Sequence, residues 1–517
     1  MTFEIVFVLL SLLGMMAALI ADKMRPGMVL FSVVVLFLCV GILTPKEMLE
    51  GFSNKGMITV ALLFLVSEGI RQSGTLGQVI KKLLPQGKTT VFKAQLRILP
   101  SVAFISAFLN NTPVVVIFAP IIKHWAKSVK LPATKFLIPL SYVTILGGIC
   151  TLIGTSTNLV VHGMILEAGY EGFTMFELGK VGIFIAIAGI IYLFIFSKRL
   201  LPDARPDTAV PDEEVEEGEK LHRVEAVLGA RFPGINKKLS DFNFQRHYGA
   251  EVKEIKTRNG QRYVDHLEDV VLREGDTLVV MADDTFIPTW GESSVFVLLT
   301  NGNEPDTTGK KKRWFALLLL VLMIVGATVG ELPVTKEMFP DIKLDMFFFV
   351  SITTIIMAWT NLFPARKYTK YISWDILITI ACAFAISKAM VNSGVADSVA
   401  KFIIGLSDDY GPHVLLAMLF IITNLFTELI TNNAAAALAF PLALSIASQL
   451  GVSPTPFFVV ICMAASASFS TPIGYQTNLI VQGIGNYKFT DFVRIGLPLN
   501  IITFLISIIL IPLIWNF

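Results

Sequence analysis

Apolar runs of roughly twenty residues recur along most of this chain, and a run of that length is what a helix needs to cross a hydrocarbon core about 30 Å thick. Lipid offers no partners for peptide groups, so only helices or closed barrels can span it, and runs this long select helices. Hydrophobic residues make up 54% of the 517 positions, charged residues only 16%. A formal net charge of +2, with no concentrated basic surface, gives no reason to expect a nucleic-acid partner. The N-terminal stretch 3–21 opens on Glu4 and has no small-residue cleavage pattern, so it reads as a span and not a removed signal peptide. The four cysteines, Cys39, Cys150, Cys382 and Cys462, lie inside apolar runs without metal or disulfide spacing and read as packing residues.

The runs fall into two matching series. The first half, 1–197, has spans at 3–21, 27–43 and 57–73, a hairpin-like stretch at 95–121, an interrupted span at 136–165 and a span at 180–197. The second, 314–517, repeats the order at 314–332, 345–363, 374–391, 414–447 (hairpin), 456–482 and 496–515. Short basic loops stay cytoplasmic, which places Lys23/Arg25, Lys81/Lys82/Lys88/Lys93, Lys123/Lys127/Lys130/Lys135, Lys198/Arg199, Lys310 to Arg313 and Arg366/Lys367/Lys370 inside. Counting crossings between them predicts an all-α polytopic membrane protein with two inverted repeats, each about five spans plus a re-entrant hairpin, in the plasma (inner) membrane. Residue identities support the duplication. Ser106 to Pro120 aligns without gaps on Thr427 to Pro441, and Gly147 to Gly163 aligns with Ala465 to Gly483, matching Gly154 to Gly474, Thr157 to Thr477 and Asn158 to Asn478.

Both aligned segments contain polar residues at hydrocarbon depth. Pro113 disfavours helix at the preceding Thr112, so the backbone is expected to break near Asn110-Asn111-Thr112, opposite Thr431-Asn432-Asn433. Second breaks are expected at Gly154-Thr155-Ser156 and Gly474-Tyr475-Gln476, with Pro472 adding to the latter. Unwound backbone at that depth is tolerated only against protein or a water-filled cavity, where it offers carbonyls to a cation and helix N-termini to an anion. A single such Asn or Thr reads as interhelical glue. Clusters at matched positions, each beside a Gly or Pro, read as a binding site. Ser106 with Asn111, and Thr427 with Asn432, are the oxygen ligands a small alkali cation needs, predicting a pair of sodium sites. Neither break carries Lys or Arg, so an anionic substrate must be held by helix N-termini, hydroxyls, amides and co-bound cations.

Glu68, Lys388 and Glu428 are ionisable groups at depth and therefore functional candidates. Glu68 and Lys388 occupy matched positions, and a structural ion pair or snorkelling is the plain alternative. For Glu428 the alternative is a carboxylate near the outer hairpin's aqueous face. No nucleophile motif or His/Cys/Asp cluster appears, so an enzyme is not expected; His162 stands alone and reads as packing.

These motifs resemble the divalent-anion:sodium symporter family of sulfate and dicarboxylate carriers, over both membrane halves. The family's tips read Ser-Asn-Thr where this chain has Asn110-Asn111-Thr112 and Thr431-Asn432-Asn433, and its Gly-Thr-Pro-Pro-Asn break is Gly154-Thr155-Ser156-Thr157-Asn158 here. The variants look more like the sulfate-transporting branch. The resemblance implies one sodium held by Ser106, Asn111 and backbone near Cys150 and Gly154. It implies another held by Thr427, Asn432 and the backbone of Ile430 and Ser470. Anion contacts would come from both tips with Thr155, Thr471 and Pro472. It also implies a homodimer in which the substrate-bearing part moves as an elevator, with sodium as coupling ion and no organic cofactor. Sodium-coupled sulfate uptake is the expected function. A C4-dicarboxylate or other oxyanion carrier is the alternative, and a ligand-regulated channel is disfavoured because matched breaks suit a carrier.

Between the halves, 198–313 is polar and expected to be cytoplasmic. An acidic, proline-bearing linker (198–219) precedes an α+β unit (220–290) and a second linker (291–313). A strand is expected in His222 to Gly229, a short helix over Leu239 to Tyr248, a hairpin turning on Asn259-Gly260, and a strand after Glu274-Gly275-Asp276. The unit resembles the C-terminal subdomain of regulatory modules on potassium channels and transporters. That likeness implies a regulatory nucleotide by analogy; a dimerisation or folding module without ligand is the alternative.

Overall fold

Proline and glycine set where the apolar runs start and stop. Helix α2 (Pro26–Val40) begins on a proline whose missing N–H falls in the first turn, and ends where Gly41 takes φ +82° and its amide caps Leu38 and Phe37. The protein is seen here as a computed structural model describing residues 3–21, 24–85, 87–203, 222–229, 232–257, 261–283, 286, 290, 295–300, 310–339, 341–405 and 411–517. Lys23, most of the acidic linker and the Asn259-Gly260 turn lie outside the described residues.

The first half comprises α1 (Phe3–Ala21), α2, α3 (Pro45–Glu50), α4 (Lys55–Gln72), α5 (Thr75–Leu83), α6 (Val91–Ser106), α7 (Asn111–Ser128), α8 (Leu137–Gly148), α9 (Ser156–Glu167) and α10 (Gly179–Leu200). The second comprises α12 (Lys310–Gly330), α13 (Pro333–Met338), α14 (Met346–Trp359), α15 (Trp374–Asn392), α16 (Val395–Gly405), α17 (Gly411–Leu429), α18 (Asn432–Leu450), α19 (Thr455–Ser466), α20 (Gln476–Gly485) and α21 (Phe489–Ile514). Among the described residues, eight helices are long and apolar enough to cross a membrane. Several others are shorter because the span they belong to is interrupted. The chain is thus a mostly helical, multi-pass membrane protein.

Packing is twinned. Helix α2 packs on α15 as α14 packs on α4, α6 packs on α8 as α17 packs on α19, and α10 packs on α8 as α21 packs on α19. Across the halves, α7 packs on α20 and α18 packs on α9. Each expected hairpin is a helix pair, α6/α7 and α17/α18, and each expected interrupted span is a pair too, α8/α9 and α19/α20. One expectation shifts. Thr112 is already helical, and the break precedes it, at 107–110. Pro113 sits in the first turn of α7, where helix N–H groups have no intrahelical partner to lose.

The insert is a five-stranded antiparallel sheet with order β3-β2-β4-β1-β5, from β1 (His222–Leu228), β2 (Glu251–Lys256), β3 (Arg262–Tyr263), β4 (Thr277–Ala282) and β5 (Phe296–Thr300). Strand β5 falls in the stretch expected to be the second linker (291–313) and is an edge strand of the sheet beside β1, so the sheet runs past residue 290. Where one helix is expected, a 3-10 turn (Leu239–Asp241) precedes α11 (Phe244–Tyr248), and Phe232, Phe242, Phe244, Tyr248 and Phe296 form the unit's aromatic core. Lys123, on α7, reaches Glu225 of β1 at 2.9 and 3.1 Å, tying the sheet to a helix that begins at the first tip.

Gly147 lets α6 lie against α8, since a side-chain carbon there would collide with the Ala103 carbonyl. Gly147→Val is expected to destabilise by at least about 1–3 kcal/mol, the usual cost of overpacking. Thermal unfolding in detergent measures it.

Candidate functional site

The site starts from a short hydrogen bond repeated in both halves. The Ser106 hydroxyl lies 2.7 Å from Asn111 Oδ1 across the α6/α7 turn, and the Thr427 hydroxyl lies 2.7 Å from Asn432 Oδ1 across the α17/α18 turn. Ser106, Asn111 and Thr427 are wholly buried and Asn432 nearly so. The interrupted spans are stitched by equally matched bonds. Asn158 Nδ2 donates to the carbonyls of Thr151 (2.9 Å) and Gly148 (3.5 Å); Asn478 Nδ2 donates to those of Thr471 (3.1 Å) and Ser468 (2.9 Å). The Gly154 amide donates to Thr151 Oγ1 at 3.1 Å and the Gly474 amide to Thr471 Oγ1 at 3.3 Å. Those hydroxyls donate in turn to the carbonyls of Ala107 and Glu428, so each break is bonded to its own turn.

Each turn also meets the break of the other half. Asn111 Nδ2 donates to the Tyr475 hydroxyl at 2.6 Å, and Thr155 Oγ1 lies 3.2 Å from the same oxygen. Thr112 Oγ1 lies 3.4 Å from Gln476 Oε1, while Asn433 Oδ1 accepts from Ser156 and Thr157, each at 3.2 Å. These contacts bring together the N-termini of α7, α9, α18 and α20. None of their N-cap residues, Asn110, Thr155, Thr431 and Tyr475, makes a side-chain capping bond. Four helix N-termini present partial positive charge and amides with no Lys or Arg in their first turns, a setting that favours an anion.

Oxygens crowd the two glycines of the first break. A side-chain carbon placed on Gly148 would lie 2.7 Å from Asn111 Oδ1 and 3.1 Å from the Gly154 carbonyl. One on Gly154 would lie 2.5 Å from the Gly148 carbonyl and 3.0 Å from that of Ala107. Asn111 Nδ2 lies 3.1 Å from the same point on Gly148, and an oxygen-rich set of this kind fits a hard monovalent cation. In the second break Ser468 stands where Gly148 does, its hydroxyl 3.3 Å from the Thr427 carbonyl and beside Gly474.

A family model described as a citrate transporter matches residues 16–451 and, again, 338–516. The chain belongs to this transporter family. Among its relatives, an uncharacterized transporter of Synechocystis, sll0640, is 29% identical over 94% of this chain and 93% of the relative. YfbS of Escherichia coli, also an uncharacterized transporter, is 26% identical over 99% of this chain and all of the relative. Sodium/sulfate cotransporter 2 of Chlamydomonas reinhardtii is 31% identical over 54% of this chain, which corresponds to 31% of that longer protein.

In this citrate transporter family member the structure gathers most of the sequence candidates at one place. Asn111, Thr112, Thr155 and Asn433 make the bonds across the halves; Ser106 is bonded to Asn111, Thr427 to Asn432, and Gly154 and Thr471 belong to the bonds within the breaks. Asn110 and Thr431 are N-caps, Ile430 lies in the second turn, and Cys150, Ser470 and Pro472 lie in the breaks, Cys150 Sγ donating to the Leu146 carbonyl. Glu68 and Lys388 do not pair. The Glu68 carboxylate takes Arg71 Nε and Nη2 at 2.7 Å, whereas Lys388 is exposed. Tyr475 is the residue that sequence reasoning left out of the candidate set; its position opposite Thr155 in the aligned repeats is the signal that could have included it.

Matched bonds predict matched losses. Asn158→Ala and Asn478→Ala each strand two buried carbonyls and are expected to cost about 1–3 kcal/mol apiece. Falls in thermal stability in detergent would bear this out, with the larger fall at Asn478, whose Oδ1 also accepts from Ser141 at 2.7 Å.

Proposed function

We propose that this protein is a secondary active carrier that couples sodium entry to uptake of a small divalent oxyanion, with sulfate as the principal substrate. The observation that carries it is the meeting of four helix N-termini, without any Lys or Arg in their first turns, beside a hydroxyl–amide pair built twice. Helix dipoles and amides suit a compact dianion, and the duplicated oxygen sets suit two sodium ions travelling with it. Ser106, Asn111, Gly154 and the backbone near Cys150 would hold one ion; Thr427, Asn432 and the backbone of Ile430 and Ser470 the other. Asn110 to Thr112, Thr155, Thr431 to Asn433, Thr471 and Pro472 would surround the anion. The twinned packing supports two inverted repeats, each with a re-entrant helix pair, and alternating access by elevator-type movement within a homodimer. Relatives named sodium/sulfate cotransporters, aligned over 54% of the chain, support sulfate. The family description and a Na(+)/citrate cotransporter of Rattus norvegicus, 29% identical over 25% of the chain, make a dicarboxylate or tricarboxylate the second reading.

Radiolabelled sulfate uptake into proteoliposomes decides between them. Uptake is expected under an inward sodium gradient, with inhibition by unlabelled sulfate, thiosulfate and molybdate. Inhibition by succinate or citrate alone would select the second reading, and uptake unchanged when choline replaces sodium, without a proton gradient, would remove sodium from the scheme. Asn111→Ala and Asn432→Ala are each expected to abolish sodium-dependent uptake while protein stays in the membrane. Gly148→Ala, whose new methyl would crowd Asn111 and the Gly154 carbonyl, is expected to weaken sodium dependence.

A further inference from the structure

The two halves differ at one polar cluster. Glu428 follows Thr427 at the end of α17, and its Oε1 accepts from the Ser470 amide at 2.8 Å and from Asn500 Nδ2 at 2.7 Å. The same Asn500 amide lies 2.8 Å from Ser470 Oγ. The other oxygens of the pair, Glu428 Oε2 and Asn500 Oδ1, are buried without a hydrogen-bond partner, and Asn500 is only 6% exposed. Every donor to the carboxylate is neutral, and among the described residues Glu428 has no ion pair. Glu68, by contrast, has Arg71.

The first half has no equivalent. The aligned residues for Glu428 and Ser470 are Ala107 and Cys150. Gly182 and Gly496 make the matching close approaches, to Ile149/Cys150 and Phe469/Ser470, so Asn500 corresponds to Ala186, four residues on. Three side-chain oxygen groups of one half are thus two methyl groups and a thiol in the other. Packing alone requires none of them at these positions, because the twin site packs without them.

We propose that Glu428 Oε2 and Asn500 Oδ1 form a further monovalent-cation site, present in the second half only and separate from the twinned hydroxyl–amide pairs. A buried carboxylate facing only neutral donors is costly until a cation joins it. Two sodium ions balance a divalent anion and leave the Glu428 charge uncompensated; one more cation at this carboxylate neutralises the loaded site. The inference rests on the sodium-coupled reading above.

The test is a sodium titration of purified protein in detergent, at ionic strength held constant with choline chloride, read as the unfolding temperature. Sodium is expected to stabilise the wild type. Glu428→Gln, equal in shape and neutral, is expected to raise the half-stabilising sodium concentration about tenfold, since ligand charge sets such affinities. In choline alone it should be at least as stable as the wild type, having lost an uncompensated buried charge. Asn500→Ala, which keeps the carboxylate, should shift the titration in the same direction. Titrations identical in wild type and both variants overturn the site while leaving sodium coupling intact. Glu428→Gln protein less stable than wild type in choline makes the carboxylate structural and also overturns it. A wild type indifferent to sodium overturns the site and the sodium-coupled reading together.

Discussion

A helix broken at hydrocarbon depth must find new partners for the peptide groups it releases, and the rest of this structure follows from how that need is met. An unpaired buried carbonyl costs about 1–3 kcal/mol, and each break exposes several. Asn158 and Asn478 each bridge two carbonyls of their own break, and Thr151 and Thr471 tie it to the neighbouring turn. With those groups satisfied by side chains, the N-termini of α7, α9, α18 and α20 keep amides free to face one another. The same residues that make the interruption tolerable also leave the helix ends available for a ligand.

Duplication supplies the scaffold, and the halves depart from it at a few polar positions. The bonds that Ser106/Thr427, Thr151/Thr471 and Asn158/Asn478 make within their halves agree pair by pair, whereas the bonds between halves do not: Tyr475 bonds both Asn111 and Thr155, while Asn433 accepts from Ser156 and Thr157. Ser468 in place of Gly148, and the Glu428–Asn500 cluster in place of Ala107 and Ala186, make the second half richer in oxygen. The α+β insert adds another asymmetry. Its sheet is bonded through Glu225 to Lys123 on α7, the helix whose N-terminus carries Asn111, and a carbon on Gly483 of α20 would lie 2.5 Å from Thr277 Oγ1 of β4. The insert therefore rests on the two helices that meet at the first tip.

Much of the site was legible in the sequence because its physical requirements are local. Asn or Thr beside Gly or Pro within an apolar run signals a break wherever it occurs, and the gapless match of Ser106 to Pro120 with Thr427 to Pro441 paired the residues that make equivalent bonds. The break before Asn111 was misplaced by about two residues because proline in a first turn leaves helix intact, and only the helix start shows which turn it is. Tyr475 was placed in the second break but not among the contact residues, because the sequence does not show which partner its hydroxyl reaches across the halves. Strand β5 was set aside in the second linker because four apolar residues and a threonine after a folded unit carry no mark of the strand they join.

By itself the sequence determined the membrane class, the two series of spans, the breaks and the residue types at them, since these depend on hydropathy, backbone preference and the need to satisfy polar groups within a short stretch. The tertiary structure alone decided which turn faces which break, that Glu68 is neutralised by Arg71 and not by Lys388, and that Glu428 is met by Asn500 from a helix 72 residues away. Those facts depend on how separate helices cross one another, and no local pattern encodes where a side chain on one helix will find its partner on another.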